Sequence, residues 1–172
     1  MLKKIKNDKK WDILILDIDM PGRNGLEVLK ELKNNNVKIP VLVFSHHAEK
    51  QIAIRALKAG AWGYLTKDAA FKELANAINQ ILSGKKYITP SLAEQLAEQI
   101  NNPHDKAPHE LLSDREYETM LLLAKGKTIS EIAKELSLGT PTISTYRSRI
   151  LEKMGMNSTA EMMNYAIRNN LV

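Results

Sequence analysis

The sequence predicts an α/β unit followed by an all-α unit. Short apolar runs alternate with helix-period segments through residues 11–83, whereas residues 111–172 carry no strand pattern and repeat helix-start signals. Between them, SLAEQLAEQI and then NPHDKAPHE form a polar, proline-punctuated stretch. The expected divisions are 1–84 for the α/β unit, 85–110 for a linker containing a short helix, and 111–172 for the helical unit.

The first element lies in WDILILDIDMPGRNGLEVLKEL, residues 11–32, where the run Ile13-Leu14-Ile15-Leu16 stops on Asp17. Such a run suits a strand buried on both faces, as in a parallel sheet. Further strands are predicted at 39–45 (IPVLVFS) and 62–66 (WGYLT), after the first at 12–17. Helices are predicted at 25–34, 49–59 and 70–83. Alternation of this kind implies parallel strands joined by right-handed crossovers.

Composition narrows the function classes. The chain has 172 residues, 44% hydrophobic and 26% charged, which is a globular balance. It has no cysteine, so disulfides and thiolate metal sites are excluded. No apolar stretch reaches the roughly 18 residues of a membrane span. The basic opening MLKKIKNDKK lacks an apolar signal core, so a cytoplasmic location with no membrane partner is expected. The net charge of +5 resolves into +7 over residues 1–89, −3 over 90–110 and +1 over 111–172. Bulk charge therefore does not point at nucleic acid; local placement has to.

In an open parallel sheet, ligands sit beyond the carboxyl ends of the strands. The three predicted strands end on Asp17, Ser45 and Thr66-Lys67. Singly, each is ordinary strand-end polarity, with Lys67 pairing Asp17. Together, a carboxylate, a hydroxyl and an ammonium on one rim suit covalent phosphoryl chemistry. His46-His47 reads as a solvated loop, since no third ligand stands at helical spacing. Trp11 and Trp62 read as packing aromatics at the sheet edge.

LDIDMPGRNGLE, VLVFSHHAE and ALKAGAWGYLTKDA resemble the later two-thirds of a response-regulator receiver domain. The resemblance implies that Asp17 is the phosphoacceptor, Ser45 the switch hydroxyl, Tyr64 the switch aromatic and Lys67 the phosphoryl-contacting lysine. Asp17 would also hold Mg²⁺, with Asp19 lending a backbone carbonyl; Pro21 and Gly22 would shape the loop and Gly25 open the next helix. It implies a sensor histidine kinase as partner. Receivers begin with a strand ending in an acidic pair that holds Mg²⁺, and ahead of Trp11 this sequence has MLKKIKNDKK, which resembles the tail of the preceding helix. With that pair absent, Asp17 and a displaced Asp8 or Asp19 are a poor set for an octahedral hard cation. Phosphorylation is expected to be slow or absent. The family strand order 2-1-3-4-5 would leave the Asp17 strand as an edge, prone to pair with another chain.

In the second half, Ser113-x-x-Glu116, Thr128-x-x-Glu131 and Ser158-x-x-Glu161 match capping boxes, and Thr140-Pro141 adds an N-cap hydroxyl before proline. These describe four short helices. Ile129, Ile132, Ala133 and Leu136 share one face of TISEIAKEL, and Ser137-Leu138-Gly139 turns into PTISTYRSRILEKM. Two short helices with such a turn describe a helix-turn-helix. On the second helix Ile143, Ile150 and Met154 gather on one side with Tyr146 nearby; Thr145 and Ser148, flanked by Ser144 and Arg149, occupy the other. Geometry alone fits a surface helix of a small bundle as well as a helix lying in a major groove.

Residues 111–172 closely resemble the LuxR-type helix-turn-helix of NarL/FixJ response regulators, through the LS-x-RE, AKGKT-x-x-EIA and ST-Y-R-x-RI-x-EKM elements. The resemblance implies that Ser144, Thr145 and Ser148 face the groove and that Thr142, Arg147, Arg149 and Lys153 meet phosphates. Pro141 stands where the family more often has lysine or a polar residue. Ala160, Met163, Ala166 and Ile167 share a face of the last helix, which is core or a homodimer contact. The expected whole is an incomplete, doubly wound receiver followed by a four-helix helix-turn-helix domain, a transcription regulator of double-stranded DNA. The alternative is a phosphorylation-independent regulator whose receiver half serves as an interaction and dimerisation platform. An enzyme is not expected, because no water-activating base accompanies Asp17.

Overall fold

The computed structural model describes residues 11–20, 23–46, 49–69, 71–101 and 107–172. Contacts divide the chain into two compact units, one comprising residues 1–20 and 25–101, the other 21–24 and 102–172.

The first unit is built on a parallel sheet of three strands, β1 (Leu14–Leu16), β4 (Val41–Ser45) and β5 (Gly63–Thr66), in the order β1-β4-β5. Two further strands have two residues each: β2 (Asp19–Met20) in this unit, and β3 (Arg23–Asn24), which falls in the second. The helices of the first unit are α1 (Gly25–Asn34), α2 (Glu49–Ala59), α3 (Phe71–Leu82) and α4 (Pro90–Asn101). The β-α alternation therefore forms as expected, with each strand one or two residues shorter at its start.

Period-2 alternation divides the sheet's side chains between two faces. Leu42 and Leu65 meet Ala77 and Ile81 of α3, with Ile13, Phe44, Leu74 and Ile78 packed around them. Tyr64 is fully buried, and α2, which packs on β5 and α1, contributes the buried Ile52, Ala53, Ile54 and Ala56. Each fully buried Leu or Ile contributes about 1.5–3 kcal/mol.

β1 departs from the strand buried on both faces that its apolar run predicted. Among the described residues it pairs with β4 alone, and Ile15 is 45% exposed while Leu16 is buried. An edge strand has a neighbour on one side to cover it, so the run is half covered. Trp11 is correspondingly 57% exposed rather than packed, whereas Trp62 is half-buried against the α3 layer.

Part of the expected linker belongs to this first unit. Tyr87 bridges Gly63 in parallel, its amide donating to the Trp62 carbonyl at 2.9 Å. Thr89 Oγ1 then accepts from the Leu92 amide at 3.2 Å, and α4 lies on α2 with Leu92 fully buried.

The second unit is helical: a 3₁₀ turn (Pro108–Leu111), α5 (Asp114–Ala124), α6 (Ile129–Leu136), α7 (Thr140–Met154) and α8 (Thr159–Arg168). Ser113 and Thr128 close reciprocal capping boxes with Glu116 and Glu131. Two start signals work differently from their prediction. Ser158 caps the Glu161 amide, but the Glu161 carboxylate accepts from Asn157. At α7 the N-cap is Gly139, with Thr140 already helical and no side-chain cap. In the preceding turn the left-handed residue is Ser137, at φ 55°, and Gly139 is extended. The core holds Tyr117, Met120, Ile132, Ile143, Ile150, Met162 and Ala166. His109 is buried between Tyr117 and Tyr165, its Nδ1 2.7 Å from the Tyr165 hydroxyl.

Candidate functional site

At the carboxyl rim of the sheet, register brings three predicted residues together. Leu16 is level with Val43, and Ser45 with Thr66, so Asp17, Ser45 and Lys67 leave their strands within two residues of each other. The Lys67 ammonium is hydrogen-bonded to the Asp17 carboxylate, with both side chains about a quarter to a third exposed. The Lys67 amide also donates to the Ser45 carbonyl at 2.8 Å. Tyr64 is not at this rim's surface; it is enclosed in the core, as is Ser45. Gly25 sits tight against the acceptor loop: a Cβ there would lie 2.5 Å from the Asp17 carbonyl oxygen and 2.8 Å from Ile18 Cα.

Receiver domains typically use Mg²⁺, and the rim can be tested for it. A hard divalent cation requires several oxygen ligands. Among the described residues no group of three or more histidines or carboxylates gathers, and the Asp17 carboxylate is engaged by Lys67. Asp19 lies in β2, one residue past Ile18, whose carbonyl accepts from the Met20 and Gly25 amides. The described residues do not by themselves make a magnesium site. Asp8, Pro21, Gly22 and His47 lie outside the described residues; His46 is exposed.

In the second unit α6 and α7 form the helix-turn-helix. Ile132, Ala133 and Leu136 are buried with Ile143, Ile150 and Met154, and Ile129 and Tyr146 are half-buried. Ser144, Thr145, Ser148 and Arg149 are exposed together on the outer side of α7. Two of the hydroxyls are turned back onto the helix: Thr145 Oγ1 donates to the Pro141 carbonyl at 3.0 Å and Ser148 Oγ to the Ser144 carbonyl at 3.2 Å. This i−4 back-bonding occupies a hydroxyl that lacks an outside partner.

The predicted phosphate contacts divide into two kinds. Thr142 is half-buried in the first turn of α7 and Arg149 is exposed. Arg147 and Lys153 are engaged within the unit, Arg147 Nε donating to Thr159 Oγ1 at 2.7 Å and Lys153 Nζ to Glu116 Oε2 at 2.6 Å. Neither partner was signalled by spacing, since the pairs are 12 and 37 residues apart; Glu116 was visible only as half of a capping box. Burial pushes the Glu116 carboxyl up, but hydrogen bonds from Lys153 and from the Ser113 backbone and side chain outweigh it and hold it below its ordinary value. On α8, Met162 and Ala166 face the core, while Ala160 and Ile167 are exposed and Met163 is half-buried.

An aspartate, serine and lysine at the rim of a parallel sheet, and a helix-turn-helix in the same chain, define a receiver-type signalling module with a DNA-binding module. Comparison with known proteins gives the same two parts. Residues 1–79 match the response regulator receiver domain and residues 110–166 the bacterial regulatory proteins of the luxR family. The response regulator UvrY of Escherichia coli K12 is 34% identical over 161 residues, 93% of this chain and 74% of UvrY. The response regulator GacA of Pseudomonas aeruginosa is 36% identical over 171 residues, 98% of this chain and 79% of GacA. RcsB of Salmonella enterica serovar Typhimurium, solved bound to promoter P1flhDC with the phosphomimetic BeF3-, is 26% identical with a TM-score of 0.51, over 95% of this chain and 78% of that one. This chain belongs to the two-component response regulators with a LuxR-type DNA-binding domain. Among the described residues no helix is long and apolar enough to cross a membrane.

Proposed function

We propose that this chain is a sequence-specific, double-stranded-DNA-binding transcription regulator of the cytoplasm, acting as a homodimer and without enzymatic turnover. The observation that carries the reading is the outer side of α7. Four small or forked polar side chains, Ser144, Thr145, Ser148 and Arg149, stand exposed above an apolar stripe that is fully engaged. A low-profile polar helix face can approach base edges closely, and its hydroxyls and guanidinium are the groups that read them or grip phosphates. Ser144, Thr145 and Ser148 are assigned to the bases, and Thr142, Arg147 and Arg149 to phosphates. Lys153 is the weakest of the assigned phosphate contacts, because its ammonium already serves Glu116. The complex of RcsB with a promoter supports the same use of the domain.

In the receiver half, Asp17 is the phosphoacceptor position of a kinase-fed relay, with Ser45 and Tyr64 as switch residues and Lys67 as the phosphoryl contact. Phosphorylation of this chain is impaired: the described rim offers the single engaged carboxylate and gathers no set for Mg²⁺. The test is incubation of the full chain with Mg²⁺ and acetyl phosphate, followed by intact mass and DNA binding. Slow, substoichiometric uptake is expected, with duplex affinity unchanged. Stoichiometric uptake that Asp17→Asn abolishes would overturn the impairment and restore a conventional switch. The second reading, a receiver half that acts as a dimerisation platform through β1, is favoured by the exposed Ile15 on the sheet's edge.

A further inference from the structure

We propose that Thr159, outside the helix-turn-helix, is a positioning residue for DNA binding: it aims the Arg147 guanidinium at a backbone phosphate. The proposal rests on the reading of Arg147 as a phosphate contact and adds how that contact is made possible.

Arg147 is four residues after Ile143 and three before Ile150, both fully buried, so its side chain starts on the inner stripe of α7. From there a free arginine would have many rotamers and no reason to favour the flank of the helix. The structure supplies the reason. Arg147 is half-buried, and its Nε donates to Thr159 Oγ1 at 2.7 Å. Guanidinium has five N–H donors in a rigid plane. Tying Nε fixes that plane and leaves the four donors of the two terminal nitrogens, the fork that matches two phosphate oxygens.

Thr159 is itself well held. It is the first residue of α8, next to Ser158, whose Oγ accepts from the Glu161 amide at 3.2 Å. The Glu161 carboxylate in turn accepts from the Asn157 amide at 2.9 Å. The turn leading into α8 is thus a braced platform, and the hydroxyl it presents holds Arg147 rather than capping its own helix.

The test titrates the full chain into a fluorescein-labelled mixed-sequence duplex at several KCl concentrations, read by anisotropy. Thr159→Val removes the hydroxyl at nearly constant shape, Thr159→Ala removes it independently, and Thr159→Ser keeps it. The two removals should weaken binding roughly 3–10-fold and flatten the log–log salt dependence by up to roughly 0.9, one phosphate's worth. Thr159→Ser should behave as wild type, and the double variant R147A/T159V should be no weaker than R147A, as for residues acting through one contact. If R147A flattens the salt dependence and neither removal does, the positioning role is wrong and the phosphate reading stands. If R147A keeps the wild-type slope, the phosphate reading falls and the positioning role with it. A T159V loss that adds in full to R147A would show that Thr159 acts by stabilising α8, which also overturns the proposal.

Discussion

Lys153 near the end of α7 donates from Nζ to Oε2 of Glu116 in the first turn of α5, at 2.6 Å, and Glu116 is 2% exposed. The same carboxylate oxygen accepts the Ser113 amide at 2.8 Å. One buried oxygen therefore both closes a helix start and ties α7 to α5. Lys153→Met should cost about 1–3 kcal/mol, the penalty of leaving a buried acceptor short of a donor. Urea unfolding monitored by circular dichroism checks it.

The pair also sets an acid limit. The folded-state pKa of Glu116 lies below its ordinary value of 4.5, so its contribution is complete above about that pH. It is lost as the pH falls through the folded-state value. Glu116→Gln keeps an oxygen for the Ser113 amide but has no charge to lose. The variant should be less stable than wild type at neutral pH and lose less on acidification. Unfolding midpoints followed from pH 7 down through the acid range below 4.5 would show equal losses if Glu116 were not involved.

Ser137 holds a left-handed conformation, φ 55°, at the turn between α6 and α7, a region that costs an L-residue roughly 1 kcal/mol and glycine little. The glycine of this turn is two residues on, at an extended N-cap position that does not need it. Ser137→Gly should raise stability by about 0.5–1 kcal/mol. A thermal melt showing a lower midpoint would mean that the serine side chain, not its backbone, matters there.

On the outer side of α7 the expected effects separate by kind. Thr145→Ala removes a hydroxyl now held by the Pro141 carbonyl, so folding should be unaffected. Its effect should be on sequence preference, about 1–3 kcal/mol at one base position. Arg149→Ala should weaken all duplexes alike and reduce the salt slope by roughly 0.9. Selection from a randomised duplex library, paired with salt titration, distinguishes them. If Arg149→Ala changed the selected sequence and left the salt slope intact, its assignment to phosphate would be wrong.

Local signals in the sequence carried most of the architecture, because they are satisfied locally. Ile13–Leu16, VLVFS and the capping boxes at Ser113 and Thr128 each specify an element within a few residues of themselves. The rim of Asp17, Ser45 and Lys67 was legible too, since parallel strands of similar length must end together. What stayed hidden depends on partners distant in sequence. Nothing in SLAEQL shows that Leu92 will be buried by α2, and nothing around Lys153 shows that its ammonium is claimed by Glu116. The exposure of Ile15 was not readable from its apolar run, which shows only what a strand could bury; it agrees instead with the edge position that the family strand order implied.

Gly25 carries the last expectation, about the acceptor loop. Its amide donates to the Ile18 carbonyl at 3.1 Å, and a methyl group at its Cα would sit 2.5 Å from the Asp17 carbonyl oxygen. Both neighbours are backbone atoms, so no side-chain rotation relieves the overlap. Gly25→Ala must push α1 away from the end of β1 or tilt the Asp17 peptide, and either displaces the carboxylate from Lys67. We expect a loss of about 2–4 kcal/mol confined to the first unit, in the range seen for overpacking with backbone shifts. Hydrogen exchange by mass spectrometry checks where the loss falls. Protection should drop in peptides covering β1, α1 and β4 and stay at the wild-type level in α5 to α8. Equal loss in both units would mean that the chain unfolds as one cooperative body, and wild-type protection in β1 would mean that the loop after Asp17 yields without disturbing the rim.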